Sequence, residues 1–141
     1  MGFAVPAALG VALACPEDTV WVVVGDGGFQ MTMCELATIV QEHIDINVAI
    51  INNGYLGMVR QWQQFFHGRR YSATPIWSPD YARLAEAYGV TAFRAKEPTD
   101  VGDLVREAIA LDRPVLIEVP VGRMPRPRFF APRRAPKRLD R

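Results

Sequence analysis

WVVVGDGGFQMT at residues 21–32 and NVAIINNGYLGM at residues 47–58 decide the reading of this chain. Each opens on an apolar, largely β-branched run and stops at a turn: Gly25-Asp26-Gly27-Gly28 in the first, Asn52-Asn53-Gly54 in the second. A short apolar run ending in such punctuation reads as a buried strand with a helix beyond it. Two buried parallel strands joined by a helix bring Asp26 and Asn53 to one edge of a sheet. In open α/β sheets that edge, outside the carboxyl ends of the strands, is where ligands bind.

The residue types at that edge suit one chemistry. Asp26 offers a hard anionic oxygen, Asn53 a neutral amide oxygen, and the glycines a backbone that a ligand can approach closely. Such a set fits Mg²⁺, which takes one or two protein oxygens and leaves places for water and substrate phosphates. The N–H groups of Gly27, Gly28 and Phe29 are then expected to meet a diphosphate at the start of the next helix.

GDG at 25–27, twenty-four further residues, then NN at 52–53 resembles the motif of enzymes that use thiamine diphosphate. The longer run GDGGFQMTMCELATIVQ, with AIINNGYLGMVRQWQQFFHGRRYS and SPDYARLAEAYGV, resembles the acetolactate synthase large subunit family and its carboxyl-terminal cofactor domain. The resemblance spans residues 1 to about 120 and implies a specific set of roles. Asp26, Asn53 and the backbone carbonyl of Tyr55 would bind Mg²⁺. Gly27 and Gly28 would meet the diphosphate, with Gly28 standing where a serine is often found. Met1, Leu56, Gly57 and Met58 would lie against the cofactor, and Met58 and Trp62 would line the substrate channel. The implied reaction is decarboxylation of pyruvate and addition of the two-carbon unit to a second 2-oxo acid, in branched-chain amino acid biosynthesis. The implied partner is a pyrimidine-binding domain of the same or a neighbouring subunit in a homo-oligomer. That domain supplies the activating glutamate, so no catalytic residue is expected in this chain. FAD is possible in the complete enzyme. Glu35, Glu42 and Glu86 read as helix residues away from the sheet edge. Sister enzymes, a glyoxylate carboligase or a 2-oxo acid decarboxylase, and a non-catalytic chain that only associates with partners are the alternatives.

Length and composition agree with one domain. The chain has 141 residues, half of them apolar, enough for a core of its own. The formal charge of +1 hides an asymmetry: eight of the sixteen basic residues and one of the fifteen acids lie in 123–141. The body to Gly122 therefore carries −6 and the tail +7. Residues 1–121 read as the cofactor domain, with an amino-terminal portion expected to be missing before Met1, and 122–141 as a basic Pro/Arg-rich tail. Its prolines argue against a regular helix, and the apolar residues show no period. A basic tail can neutralise phosphates, but the chain has no base-reading element, so nucleic acid is not the expected partner. No run is long and apolar enough for a membrane span, and the opening lacks a basic leader. A cytoplasmic chain is expected, with an organelle address left open. Cys15 and Cys34 read as small buried thiols, and His43 and His67 lack partners at zinc-ligand spacing.

The rest of the chain completes an α/β pattern. Residues 2–14 read as a helix buried nearly all round, and Thr32–Glu42 as a second with Met31, Leu36, Ile39 and Val40 on its apolar face. Gly57–Phe66 is a third, whose stripe of Met58, Val59, Trp62 and Phe66 reads by spacing alone as core. His67–Trp77 is a loop in which Arg69 and Arg70 read as a solvated charge pair, with a hold on an acidic substrate as the alternative. Ser78 caps a helix that ends at Gly89. Val90–Ala95 and Pro114–Val119 are further strands, joined by a helix opened by Thr99 that turns Val101, Leu104, Val105, Ile109 and Leu111 to the sheet. The expected fold is a doubly wound parallel sheet with helices on both faces.

Overall fold

The two runs that stop at GDGG and NNG lie side by side as parallel strands, β1 (Val20–Gly25) and β2 (Ile46–Asn52), with Gly25 in register with Ile51. In the computed structural model, which describes residues 1–122, β3 (Thr91–Arg94) and β4 (Val115–Pro120) complete a four-stranded sheet. The order is β1-β2-β4-β3, and every pair is parallel. This is the α/β architecture the sequence pattern predicts, and the tail from 123 onward lies outside the described residues.

Alternate residues of each strand feed two cores, as the period of two requires. Val20, Val22, Val24, Ile46, Val48, Ile50 and Leu116 face a layer formed by α1 (Ala4–Ala14), α3 (Glu35–Gln41) and α5 (Tyr81–Tyr88). Val115 and Ile117 face the other way, onto Ala108, Leu104, Val105 and Leu111 of α6 (Val101–Ala110) and its end. Of the residues expected to turn inward on α6, Ile109 is instead 53% exposed, because the contact centres on Ala108.

Several local expectations are corrected. Helix α1 is buried on one side only, through Val5, Ala8, Leu9 and Ala12, while Phe3, Val11 and Leu13 face outward. Cys15 and Cys34 are both exposed: one follows α1 and the other lies in the turn before α3. The helix expected from Thr32 starts at Glu35, after a separate one-turn helix, α2 (Asp26–Gln30), and a turn; Met31 falls in that break and is exposed. The cap of α5 is Asp80, whose carboxylate accepts from the Arg83 N–H at 3.1 Å, rather than Ser78. Gly89 ends this helix at φ 86°, a left-handed conformation that glycine adopts without strain. Before α6, Glu97 and Asp100 form a reciprocal capping box, a role the sequence reading gave to Thr99. No helix among the described residues is long and apolar enough to cross a membrane.

Candidate functional site

The carboxyl ends of β1 and β2 are bonded to one another through the turns that follow them. Asp26, at the start of α2, is 2% exposed. Its Oδ1 accepts from the N–H of Gly27 at 3.0 Å and its Oδ2 from the N–H of Gly54 at 2.8 Å. Gly54 makes this bond from a left-handed conformation, φ 69°. A side chain there would strain the backbone.

No Lys or Arg among the described residues pairs with Asp26. A carboxylate has about four lone-pair directions, and backbone amides satisfy two here. A buried anion held only by neutral donors is a group that favours a cation beside it.

The second turn is pinned from two sides. Asn53 Oδ1 accepts from the Tyr55 N–H at 2.9 Å, and Asn52 Oδ1 from the Gly54 N–H at 3.1 Å. The loop at 72–77 then runs against it: Leu56 donates to the Thr74 carbonyl at 2.8 Å, Ile76 donates to the Gly54 carbonyl at 3.0 Å, and Tyr55 bridges Pro75 antiparallel. Arg60, one turn into α4 (Gly57–Phe66), lies over the rings of Tyr55 and Tyr71 at 5.3 and 4.4 Å. Stacking of this kind ties loop, turn and helix together.

Gly27 faces a crowded space. A Cβ there would lie 2.8 Å from Leu56 Cδ2, 3.3 Å from Ile76 Cδ1 and 3.4 Å from Met1 Cε. Met1 and Leu56 are thus brought together at the GDG turn from either side of it in the sequence. Gly28 meets only Val24, at 3.2 Å. Gly57 opens α4, and along it Met58 (68% exposed), Trp62 (58%) and Phe66 (56%) leave an apolar stripe open to solvent, which corrects the reading of that stripe as core. Trp77, on the pinning loop, is 81% exposed.

Sequence reading missed the residues beneath the turns. Ser78 is not a cap: its hydroxyl reaches Asn52 Oδ1 at 3.2 Å and Asp26 Oδ2 at 3.4 Å. Tyr81 is fully buried, edge-on to Phe29, with its hydroxyl accepting from Gln30 at 2.9 Å. Burial pushes the Tyr81 phenol up, the hydrogen bonds from Gln30 and Ser78 pull it down, and the charges of Asp26 and Glu118 push it up further. Glu118, the one charge within the run PVLIEV, is 1% exposed and accepts from Asn52 Nδ2 at 2.8 Å. A lone acid inside a buried strand was the signal available for it.

The family model for the thiamine pyrophosphate enzyme, C-terminal TPP binding domain, matches residues 1–119. Among curated relatives, acetolactate synthase from Mycobacterium bovis is 49% identical over 128 residues, which is 86% of this chain and 21% of that protein. The acetolactate synthase large subunit of Corynebacterium glutamicum is 45% identical over 128 residues, 86% of this chain and 20% of that one. The chain therefore spans about a fifth of the relatives it matches. Among solved structures, the Rhodococcus jostii RHA1 thiamine diphosphate-dependent 4-hydroxybenzoylformate decarboxylase superposes with a TM-score of 0.81 at 31% identity, covering 86% of this chain and 23% of that chain.

Proposed function

Since this chain belongs to the thiamine pyrophosphate enzyme family, as its C-terminal TPP-binding domain, we propose that it forms the metal and diphosphate half of an acetolactate synthase-type active site. The observation that carries this is Asp26: a buried carboxylate at the sheet edge, bonded to both turns and without a cationic side chain beside it among the described residues.

Mg²⁺ suits this donor set, one carboxylate and neutral oxygens, better than a softer metal. Asp26 and Asn53 would hold it through side-chain oxygens and Tyr55 through its carbonyl. The backbone at Gly27 and Gly28 would receive the diphosphate, with Met1, Leu56, Gly57 and Met58 against the rest of the cofactor. When bound, thiamine diphosphate supplies the electron sink for decarboxylation, and the protein supplies position and electrostatics. The exposed Met58 and Trp62 would line the substrate channel and exclude water from it.

The whole activity, decarboxylation of pyruvate and transfer of the two-carbon unit to a second 2-oxo acid for branched-chain amino acid synthesis, requires a pyrimidine-binding domain of the same or a neighbouring subunit. That domain brings the activating glutamate, and the complete enzyme has scope for FAD outside this chain. The setting is a cytoplasmic homo-oligomer. Identities of 45–51% to acetolactate synthases favour this activity. The likeness to a 4-hydroxybenzoylformate decarboxylase supports a second reading, the same domain in a sister 2-oxo acid decarboxylase.

Calorimetric titration of thiamine diphosphate into the chain, with and without Mg²⁺, tests the proposal. Binding that needs Mg²⁺ and disappears in Asp26→Ala supports it. A folded chain that binds with equal strength without Mg²⁺, or equally well in Asp26→Ala, overturns the clamp.

A further inference from the structure

Glu118 stands on β4 diagonally from Asn52 on β2, on the face of the sheet that carries Ile50 and Leu116. Its burial is hard to explain as a source of stability. Oε1 has a hydrogen bond from Asn52 Nδ2 at 2.8 Å. Oε2 has no hydrogen-bond partner among the described residues, and the nearest cation, Arg94 Nε, stands 3.7 Å away on a half-exposed side chain. A buried carboxylate this poorly compensated destabilises a fold relative to a neutral side chain of the same shape.

Its consequence lies one residue away. An ionised carboxylate only accepts hydrogen bonds, so Glu118 fixes which end of the Asn52 amide faces it. Nδ2 must point to Glu118, and Oδ1 must point to the site, where it shares the Gly54 N–H and the Ser78 hydroxyl with Asp26 Oδ2. Were the amide reversed, its NH₂ would face the same Asp26 oxygen and occupy a lone pair there, while its oxygen met that of Glu118.

We infer that Glu118 is a positioning residue for the cofactor clamp: it locks the Asn52 amide so that its NH₂ takes no lone pair of Asp26 Oδ2 that a cation would use. The inference rests on the reading of Asp26 as a metal ligand. Groups that orient a ligand from behind change metal affinity by about 10- to 100-fold when altered. Glu118→Gln removes the lock, because the new amide can donate to a reversed Asn52. Exchanging the two types, Glu118→Gln with Asn52→Asp, restores a donor facing an acceptor across the pair and leaves acceptors facing Gly54 and Ser78.

The test has two independent arms on the 141-residue chain. Nuclear Overhauser contacts of the Asn52 side-chain NH₂ report the amide's direction without any ligand. In the wild type they run to the Glu118 side chain; in Glu118→Gln they are expected to run to the Gly54 N–H. Calorimetry of thiamine diphosphate with Mg²⁺ is expected to show about 10- to 100-fold weaker binding in Glu118→Gln, recovered in the exchanged pair, with no fall in Tm. Unchanged contacts in Glu118→Gln overturn the lock. Affinity lost only in step with Tm, or not regained by the exchange, overturns the positioning role. A wild-type chain that binds no thiamine diphosphate overturns the function proposed above and leaves the lock to be decided by the amide contacts alone.

Discussion

Gly54 donates its backbone N–H to the Asp26 carboxylate at 2.8 Å, so turns that follow two different strands are one bonded unit. Asp26 is therefore both the end of β1 and the anchor of the NNG turn. Its replacement separates the two jobs. Asp26→Asn keeps the shape and one acceptor oxygen but removes the buried charge. The expected outcome is a chain that melts lower, because the new NH₂ faces one of the two backbone N–H groups the carboxylate accepts from, and has lost Mg²⁺-dependent binding of thiamine diphosphate. Differential scanning calorimetry and titration, run on the same preparation, check both halves.

Gly27→Ala tests how tightly the GDG turn is packed. The added carbon would lie 2.8 Å from Leu56 Cδ2, the end of a flexible side chain that can swing away. The fold should survive with a loss of about 1 kcal/mol or less. Because Leu56 is displaced toward the proposed cofactor space, affinity for thiamine diphosphate should fall while the circular dichroism spectrum stays the same. Equal affinity in the variant would remove Leu56 from the cofactor's surroundings.

Asp80 and Ser78 are expected to trade the effects that their sequence suggests. Asp80→Ala removes the bond to the Arg83 N–H and should cost about 1 kcal/mol of stability through the first turn of α5. Ser78→Ala leaves that cap intact and instead withdraws a hydroxyl from Asp26 and Asn52. It should change Tm less and cofactor affinity more. Urea melts paired with calorimetric titration distinguish the two patterns.

Asp45 gives a pH-dependent prediction away from the site. Partial burial, and next the charge of Asp112, raise its carboxyl above the ordinary value. A group whose folded pKa exceeds its unfolded one favours the fold below the unfolded value and loses that contribution as pH rises through the folded value. At neutral pH Asp45 thus weighs against folding. Its side chain is exposed, so screening by water keeps the effect small: Asp45→Asn should gain at most a few tenths of a kcal/mol at pH 7, and the gain should vanish near pH 3. Urea unfolding at the two pH values measures it.

What could be read in the sequence, and what could not, follows from the range of each signal. Strands announced themselves because short, largely β-branched runs such as VWVVV and NVAII stop at turn residues, although β1 is buried on one face only, with Val23 left exposed. The site's two turns were legible because glycine and asparagine mark sharp backbone changes directly. Helix α4 was legible to the residue in its extent, yet its apolar stripe was not: spacing shows that a face is apolar and says nothing about what covers it. The same holds for Phe3, Val11 and Leu13 on α1 and for the exposed Cys15 and Cys34. Ser78 before Pro79 and Asp80 before Tyr81 are both good cap signals; in the fold the Ser78 hydroxyl goes instead to Asp26 and Asn52, over a long sequence separation. Tyr81 lay beyond reach for a related reason, and Glu118 showed only as a lone acid in an apolar run, since partners that meet across a sheet leave no mark at any fixed spacing.

The strand order carries a consequence for synthesis. β4, the last strand of the sheet to be made, lies between β2 and β3 and bonds to both. Until Val115–Pro120 leave the ribosome, β3 has no neighbour and β2 has one bare edge, so the nascent chain holds long apolar segments with nothing to close them. Chains arrested before Val115 should be open to protease along their whole length, and resistance should arrive in a single step once the last strand has emerged.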